Sequence, residues 1–199
     1  MYHKQMRIVF ALILFTVVSC WANQKIETQI GPFNLAGLPV TESKFVSLFG
    51  QGLVQIDKVE NKVLGQRRIY YASDEKVWVE IRFSHVLDEN LERVVETILI
   101  TRKKLCDERF KPKKPFGPLI TSREIKIGDS IDKVIGTYGK PSISIDVGKD
   151  KIFSVLVEDL KFQQGRVLRY LTNQPNELLF AEFYFSGTGL HSILISESE

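Results

Sequence analysis

Apolar residues along this chain recur in two rhythms, and each rhythm occurs twice. Phe45, Val46 and Phe49 form a helical stripe between Thr41, a residue that caps helix N-termini, and Gly50, which stops the helix. Ile131, Val134, Ile135 and Tyr138 do the same behind Asp129 or Ser130, and Gly139-Lys140-Pro141 ends that stripe. Each predicted helix has only about two and a half turns, too short to persist in water alone, so each must lie on a sheet. Strict alternation follows both helices. Val77, Val79, Ile81 and Phe83 share one face of a strand, as do Leu179, Ala181, Phe183 and Phe185, and these faces are expected to meet the helices.

Turn residues such as Asn173-Gln174-Pro175-Asn176 and Ser186-Gly187-Thr188-Gly189 bound the strand segments. Strands are predicted over Ile69–Ala72, Val77–Phe83 and Val94–Ile100, and again over Val167–Leu171, Leu178–Phe185 and Leu190–Ile195. Further strands are expected around Val54–Val59 and Ile143–Val147.

The two sets echo each other residue by residue. Thr41–Gly50 matches Ser130–Gly139, Glu75–Phe83 matches Glu177–Phe185, and Thr97–Thr101 (TILIT) matches Ser192–Ser196 (SILIS), at offsets of 89, 102 and 95 residues. Unequal offsets place the insertions and deletions in loops, as in duplicated units. The expected organisation is a leader over residues 1–20, a tether over 21–30, repeat unit 1 over 31–101, a linker over 102–121 and repeat unit 2 over 122–199. The expected fold class is α+β: two tandem helix-plus-antiparallel-sheet units, with short helices packed on one face of a concave sheet.

The leader changes the charge balance. Lys4 and Arg7 precede the uncharged run Ile8–Val18, and small or polar residues follow, which is the layout of a secretory signal. Val17-Val18-Ser19-Cys20 resembles the lipobox of bacterial lipoproteins, which makes Cys20 a lipidation candidate; ordinary cleavage near Cys20-Trp21-Ala22 is the other reading. Either cut points to export to the cell envelope, at the outer membrane or in the periplasm. The full chain carries 27 basic and 24 acidic residues, and loss of Lys4 and Arg7 leaves 25 against 24, so the net charge offers no argument for nucleic acid.

The charge that remains is unevenly placed. Arg102–Pro118 holds Arg102, Lys103, Lys104, Arg109, Lys111, Lys113 and Lys114 against only Asp107 and Glu108, and three prolines punctuate it. That composition reads as an extended, solvated linker, and its cations suit anionic lipid or glycan. Cys106 within it reads as a small, partly buried linker residue.

Ile125–Pro141 (IKIGDSIDKVIGTYGKP), with Gly128, Ser130, Val134, Gly139 and Pro141, resembles the helix motif of the small outer-membrane assembly lipoproteins, the SmpA/OmlA-like family. Leu179–Ile195, with Phe183 and Gly189, resembles that family's closing hairpin. In the first unit Pro39 stands in place of Gly128, Thr41 matches Ser130, Phe45 matches Val134, and Gln51-Gly52 replaces Lys140-Pro141. Two such units in tandem are similar to the β-lactamase inhibitor protein fold. These resemblances imply a fold and an envelope location, and by analogy a protein-binding role.

Reactive groups are sparse. His85 and His191 have no metal-ligand spacing, and the chain has no G-x-S-x-G elbow and no phosphate loop of the P-loop or G-x-G-x-x-G type, so no catalytic residue, metal or cofactor is assigned. His191 alternates with Ile193 and Ile195, which predicts a hydrogen-bonded histidine in a core-facing row. Glu92/Glu96 and Asp107-Glu108 read as solvated carboxylates. The surface that stands out is the strand face turned away from the helices, where Trp78, Glu80 and Arg82 correspond to Phe180, Glu182 and Tyr184. Large aromatics and Arg dominate binding hot spots. Trp78 and Phe180 are therefore expected to lie partly exposed on that face, flanked by Arg82 and Tyr184, with an envelope protein as the partner.

Overall fold

The computed structural model describes residues 29–31, 33–34, 40–59, 62–87, 92–150, 153–171, 178–187 and 189–198. The leader and Cys20 lie outside them. In chain order the elements are β1 (Gln29–Ile30), β2 (Phe33–Asn34), α1 (Glu42–Phe49), β3 (Leu53–Val59), β4 (Lys62–Ala72), β5 (Val77–Leu87) and β6 (Arg93–Thr101). These are followed by α2 (Ile131–Tyr138), β7 (Ile143–Val147), α3 (Val155–Leu160), β8 (Gly165–Leu171), β9 (Leu178–Ser186) and β10 (Gly189–Ser198). β1 and β2 form a small ribbon. The other eight strands make one antiparallel sheet in the order β3-β4-β5-β6-β10-β9-β8-β7.

This architecture corrects the expected α+β class. The two matched closing strands pair with each other: Thr101 stands opposite Ser192, Leu99 opposite Leu194, and Thr97 opposite Ser196. Hydroxyl pairs of 2.7 Å, Thr101 with Ser192 and Thr97 with Ser196, bracket the central leucines. The seam merges both halves into a single sheet, and among the described residues only helices of 8, 8 and 6 residues accompany it. The fold is sheet-dominated because strand pairing, not helix packing, joins the halves. Nor do all the helices share one face, since α3 lies opposite α1 and α2, as the side chains it packs against make clear.

Both longer helices end as their sequences require. Thr41 Oγ accepts the Lys44 N–H and Ser130 Oγ the Lys133 N–H, each satisfying a donor that the first turn leaves without a partner. Gly50 and Gly139 turn to φ of 84° and 81°, a region that a Cβ disfavours, and return their N–H groups to Val46 and Ile135. Tyrosines from the sheet then hold these tails: Tyr70 Oη donates to the Gly50 carbonyl at 2.7 Å and Tyr170 Oη to the Gly139 carbonyl at 3.1 Å. Burial pushes both phenols up to about 12. Phe45, Phe49, Val134 and Tyr138 meet Val79, Ile81, Phe83, Ala181 and Phe183 in one apolar cluster. Ile135, expected in the stripe, is exposed instead. Ile30 belongs to the cluster and is fully buried, so the last residue of the expected tether is part of the fold.

The segment after β6 is largely exposed and has no helix or strand, in keeping with a solvated linker, but it is pinned to the sheet at several points. It starts on the face opposite α1 and α2, where Leu105 joins a second apolar cluster, and ends on the helix face, where Phe116 and Leu119 are buried. Between these points the Tyr71 N–H donates to the Phe110 carbonyl, the Lys113 N–H to the Phe49 carbonyl, and the Leu119 N–H to Glu75 Oε1 at 2.6 Å. It thus acts as a strap around the end of the sheet. Proline suits such a path because it has no N–H that a strand ladder must satisfy.

Candidate functional site

The face turned away from α1 and α2 is organised in rows that cross the sheet. One row runs Tyr71, Trp78, Thr101, Ser192, Tyr184, Val167, Ile145; the next runs Leu53, Ile69, Glu80, Leu99, Leu194, Glu182, Arg169, Ile143; a third runs Gln55, Arg67, Arg82, Thr97, Ser196, Phe180, Leu171. All six residues expected to form a binding surface lie in these rows. Glu80 and Glu182 flank the Leu99/Leu194 centre, one on each side.

The expectation that Trp78 and Phe180 are both partly exposed holds for Phe180 and is corrected for Trp78, and Tyr184 beside Phe180 is buried. Helix α3 and the strap cover the second half, with Leu156, Leu160 and Leu105 packing on Leu99, Ile145, Val167, Tyr184 and Leu194. Tyr184 is buried and its ring stacks on Phe162 at 3.7 Å, while Phe180 keeps intermediate exposure. Glu182 is fully buried. Its Oε2 accepts the Leu156 N–H at 2.8 Å and the Ser154 hydroxyl at 3.1 Å, and its Oε1 accepts from Arg169 at 2.5 and 2.8 Å. This carboxylate fastens the start of α3 to the sheet, and none of its contacts awaits a partner. In the first half Trp78 is buried beside Tyr71, with ring centroids 5.1 Å apart.

Glu80 occupies the corresponding place, and among the described residues no helix lies above it. Its Oε1 accepts from Arg82 Nε at 2.7 Å, Arg67 approaches Oε2 at 3.8 Å, and Arg82 reaches across to Asp159 of α3 at 2.6 Å. Burial opposes the charge on Arg82, but Glu80 and Asp159 outweigh it and hold the guanidinium above its ordinary pKa. Beside this network is a cleft of about 260 Å³ lined by Gln55, Arg67, Ile69, Lys103, Lys104, Leu105 and Lys161, among others. Five cations face it against two carboxylates.

A second cleft, of about 320 Å³, adjoins it and shares Lys104. It is lined by Tyr71, Lys76, Trp78, Arg102, Lys104, Asp107 and Arg109. The strap's cations thus divide. Arg102, Lys104 and Arg109 line this cleft, Lys103 is half-buried and donates its Nζ to the Leu160 carbonyl at the end of α3, and Lys111, Lys113 and Lys114 are exposed further along. Cys106 is half-buried, and its thiol meets the Glu108 carbonyl at 3.0 Å. Burial, then Asp107 and Glu108, push that thiol up, which disfavours the reactive thiolate.

His191 also departs from its expected row. A bulge between Leu190 and Ser192 turns it to the outer face, where it contacts the edges of Phe162 and Tyr184 and the Ser192 hydroxyl at 3.0 Å. Burial lowers its pKa, and Arg102 and Lys103 add to the shift. Among the described residues no group of three or more His, Cys, Asp or Glu is placed to hold a metal.

Sequence reasoning missed Arg67, Arg169, Ser154 and Asp159. A signal existed for α3: Ser154 precedes Leu156 and Leu160 at helical spacing, with Glu158 and Asp159 on the polar side. Comparison with family models, curated proteins and solved structures gives no match.

Proposed function

We propose that this chain is a non-catalytic, exported cell-envelope protein that binds an acidic segment of another protein in the cleft over β3, β4 and β5. One observation carries the reading. Helix α3 covers the outer face in the second half, whereas the equivalent face of the first half keeps a cleft with Arg67, Arg82, Lys103, Lys104 and Lys161 around Glu80 and Asp159. A surplus of cations over a partly apolar floor of Ile69 and Leu105 favours a carboxylate-bearing partner with some apolar area, because complementary charge sets both encounter rate and orientation. The secretory leader and the resemblance of Ile125–Pro141 to envelope assembly lipoproteins support the location.

A photo-crosslinking side chain at Gln55 tests the site in the intact envelope. An adduct with one protein species is expected there and not from Ser144 on the far edge strand, and Arg67→Glu should reduce its yield about tenfold, as loss of a charge-assisted contact does. Equal yields from Gln55 and Ser144, or no effect of Arg67→Glu, would remove the cleft from the reading.

Attachment is tested separately. If Cys20 is the lipidated residue, Cys20→Ala moves the protein out of the membrane fraction or leaves the leader uncut. Unchanged partition of that variant would leave an exported protein without a lipid anchor.

A further inference from the structure

We propose that the notch where the strap crosses Tyr71 and Trp78 binds a phosphate monoester or pyrophosphate group. Four cations line it against one carboxylate: Lys76, Arg102, Lys104 and Arg109 against Asp107. Among the described residues no carboxylate pairs with Lys76, Arg102 or Arg109. Asp107 holds Lys104 at 2.6 Å, but its side chain is 97% exposed, so solvent screens that pair and its carboxylate is free to turn away.

The array is held in place before any ligand arrives. The Arg102 N–H donates to the His191 carbonyl at 3.1 Å, the Lys103 N–H to Thr101 Oγ1 at 3.0 Å, and the Tyr71 N–H to the Phe110 carbonyl at 2.8 Å, so the strap is fixed on both sides of the notch. The Arg109 guanidinium lies over the Tyr71 ring, 4.6 Å from its centroid. Stacking of this kind fixes the plane of the fork and leaves its in-plane donors for a ligand. Backbone anchoring and stacking both lower the ordering cost of binding.

Charge and shape choose the ligand class. Two arginine forks suit the several oxygens of a phosphate, and four cations around one site favour a group carrying more than one negative charge over a lone carboxylate. The notch, at about 320 Å³, falls at the lower end of ligand-pocket sizes, roughly 300–1,000 Å³, and so has room for a small moiety attached to the phosphate. The inference does not depend on the protein-docking reading, which rests on Arg67 and the neighbouring cleft.

The test uses the chain without the leader, residues 21–199, so that neither a lipid anchor nor the apolar run Ile8–Val18 drives vesicle binding. Titration with inorganic pyrophosphate at fixed low salt is expected to show one site. Arg102→Gln and Arg109→Gln should each weaken it about tenfold, the loss expected when one hydrogen bond to a charged group is removed. Lys149→Gln, in the turn after the opposite edge strand β7, should leave it unchanged. Both arginines are exposed, so neither variant threatens folding. Vesicles of phosphatidylcholine containing phosphatidic acid, compared with phosphatidylglycerol at matched charge, separate the sources. Preference for phosphatidic acid identifies a lipid headgroup, and pyrophosphate binding without that preference identifies a soluble phosphorylated ligand. Absence of pyrophosphate binding, or equal weakening by Lys149→Gln, would overturn the proposal.

Discussion

Glu182→Ala is expected to destabilise the protein by about 3–5 kcal/mol, the range for removing one partner of a buried ion pair. The side chain is fully buried and satisfies three groups at once: the Arg169 guanidinium, the Ser154 hydroxyl and the Leu156 N–H. Its loss strands a mostly buried cation and a helix-end donor under α3, where water cannot replace the carboxylate without opening the outer cluster. Glu182→Gln keeps the volume and an acceptor, so it should fall between the variant and wild type. The double change Glu182→Leu with Arg169→Met removes both charges and should recover much of the loss. Urea unfolding of the four proteins checks the order. A Glu182→Ala unfolding free energy within about 1 kcal/mol of wild type would place the residue among ordinary substitutions and rule out its fastening of α3 to the sheet.

Register makes Glu80 the natural control for that experiment. Both carboxylates stand next to the central leucines in one row, yet their neighbours differ. In the second half the chain between β7 and β8 forms α3, and Glu182 is spent on its N-terminus. In the first half β3 pairs directly with β4, among the described residues no helix covers Glu80, and its pairing with Arg82 leaves a cleft whose far wall is Asp159 of the other half. One half of the outer face has thus become a second core, while the other retains accessible charge. This asymmetry places the candidate binding clefts in the first half.

What could be read from the chain alone was local or periodic. Thr41–Gly50 and Ser130–Gly139 were legible because caps, stripe and stop glycine all lie within ten residues of one another. Val77–Phe83 and Leu179–Phe185 were legible because alternation with period two is a property of the strand itself. The outer face was misread because its cover comes from elsewhere. Leu105 and Val155–Leu160 are distant in sequence from Trp78 and Tyr184, and nothing in the alternation of Trp78, Glu80 and Arg82 or of Phe180, Glu182 and Tyr184 reports a strap beside the first set or a six-residue helix over the second. The strap's exposed cations were legible from its composition, but its path was not, because Leu105, Phe116 and Leu119 decide it by packing on the two faces of a sheet distant in sequence. His191 was misread because a bulge inverts side-chain direction without changing the sequence pattern. The class was misread because the echo of TILIT and SILIS indicates a duplication but not that the two copies pair with each other across one sheet.

Trp78 and Phe180, equivalent by sequence, are expected to respond very differently to truncation. If both were wet, as alternation suggested, replacing both by Ala would leave stability almost unchanged. Trp78 is instead only 5% exposed, packed between Tyr71 and the end of β6, so Trp78→Ala should cost about 3–5 kcal/mol, as for other large buried aromatics. Phe180 sits at the margin of the outer cluster with intermediate exposure and the Arg169 guanidinium 5.7 Å from its ring, so Phe180→Ala should stay within the ordinary range of about 0.5–3 kcal/mol and below the Trp78 value. Because Trp78 also floors the cationic notch, Trp78→Phe is the informative companion: it retains an aromatic floor, and it should keep pyrophosphate binding while losing part of the stability. Chemical unfolding of the three variants measures the order directly. Equal and small costs for Trp78→Ala and Phe180→Ala would mean that the outer face of the first half is open to solvent, contrary to the burial of Trp78 beneath its neighbours.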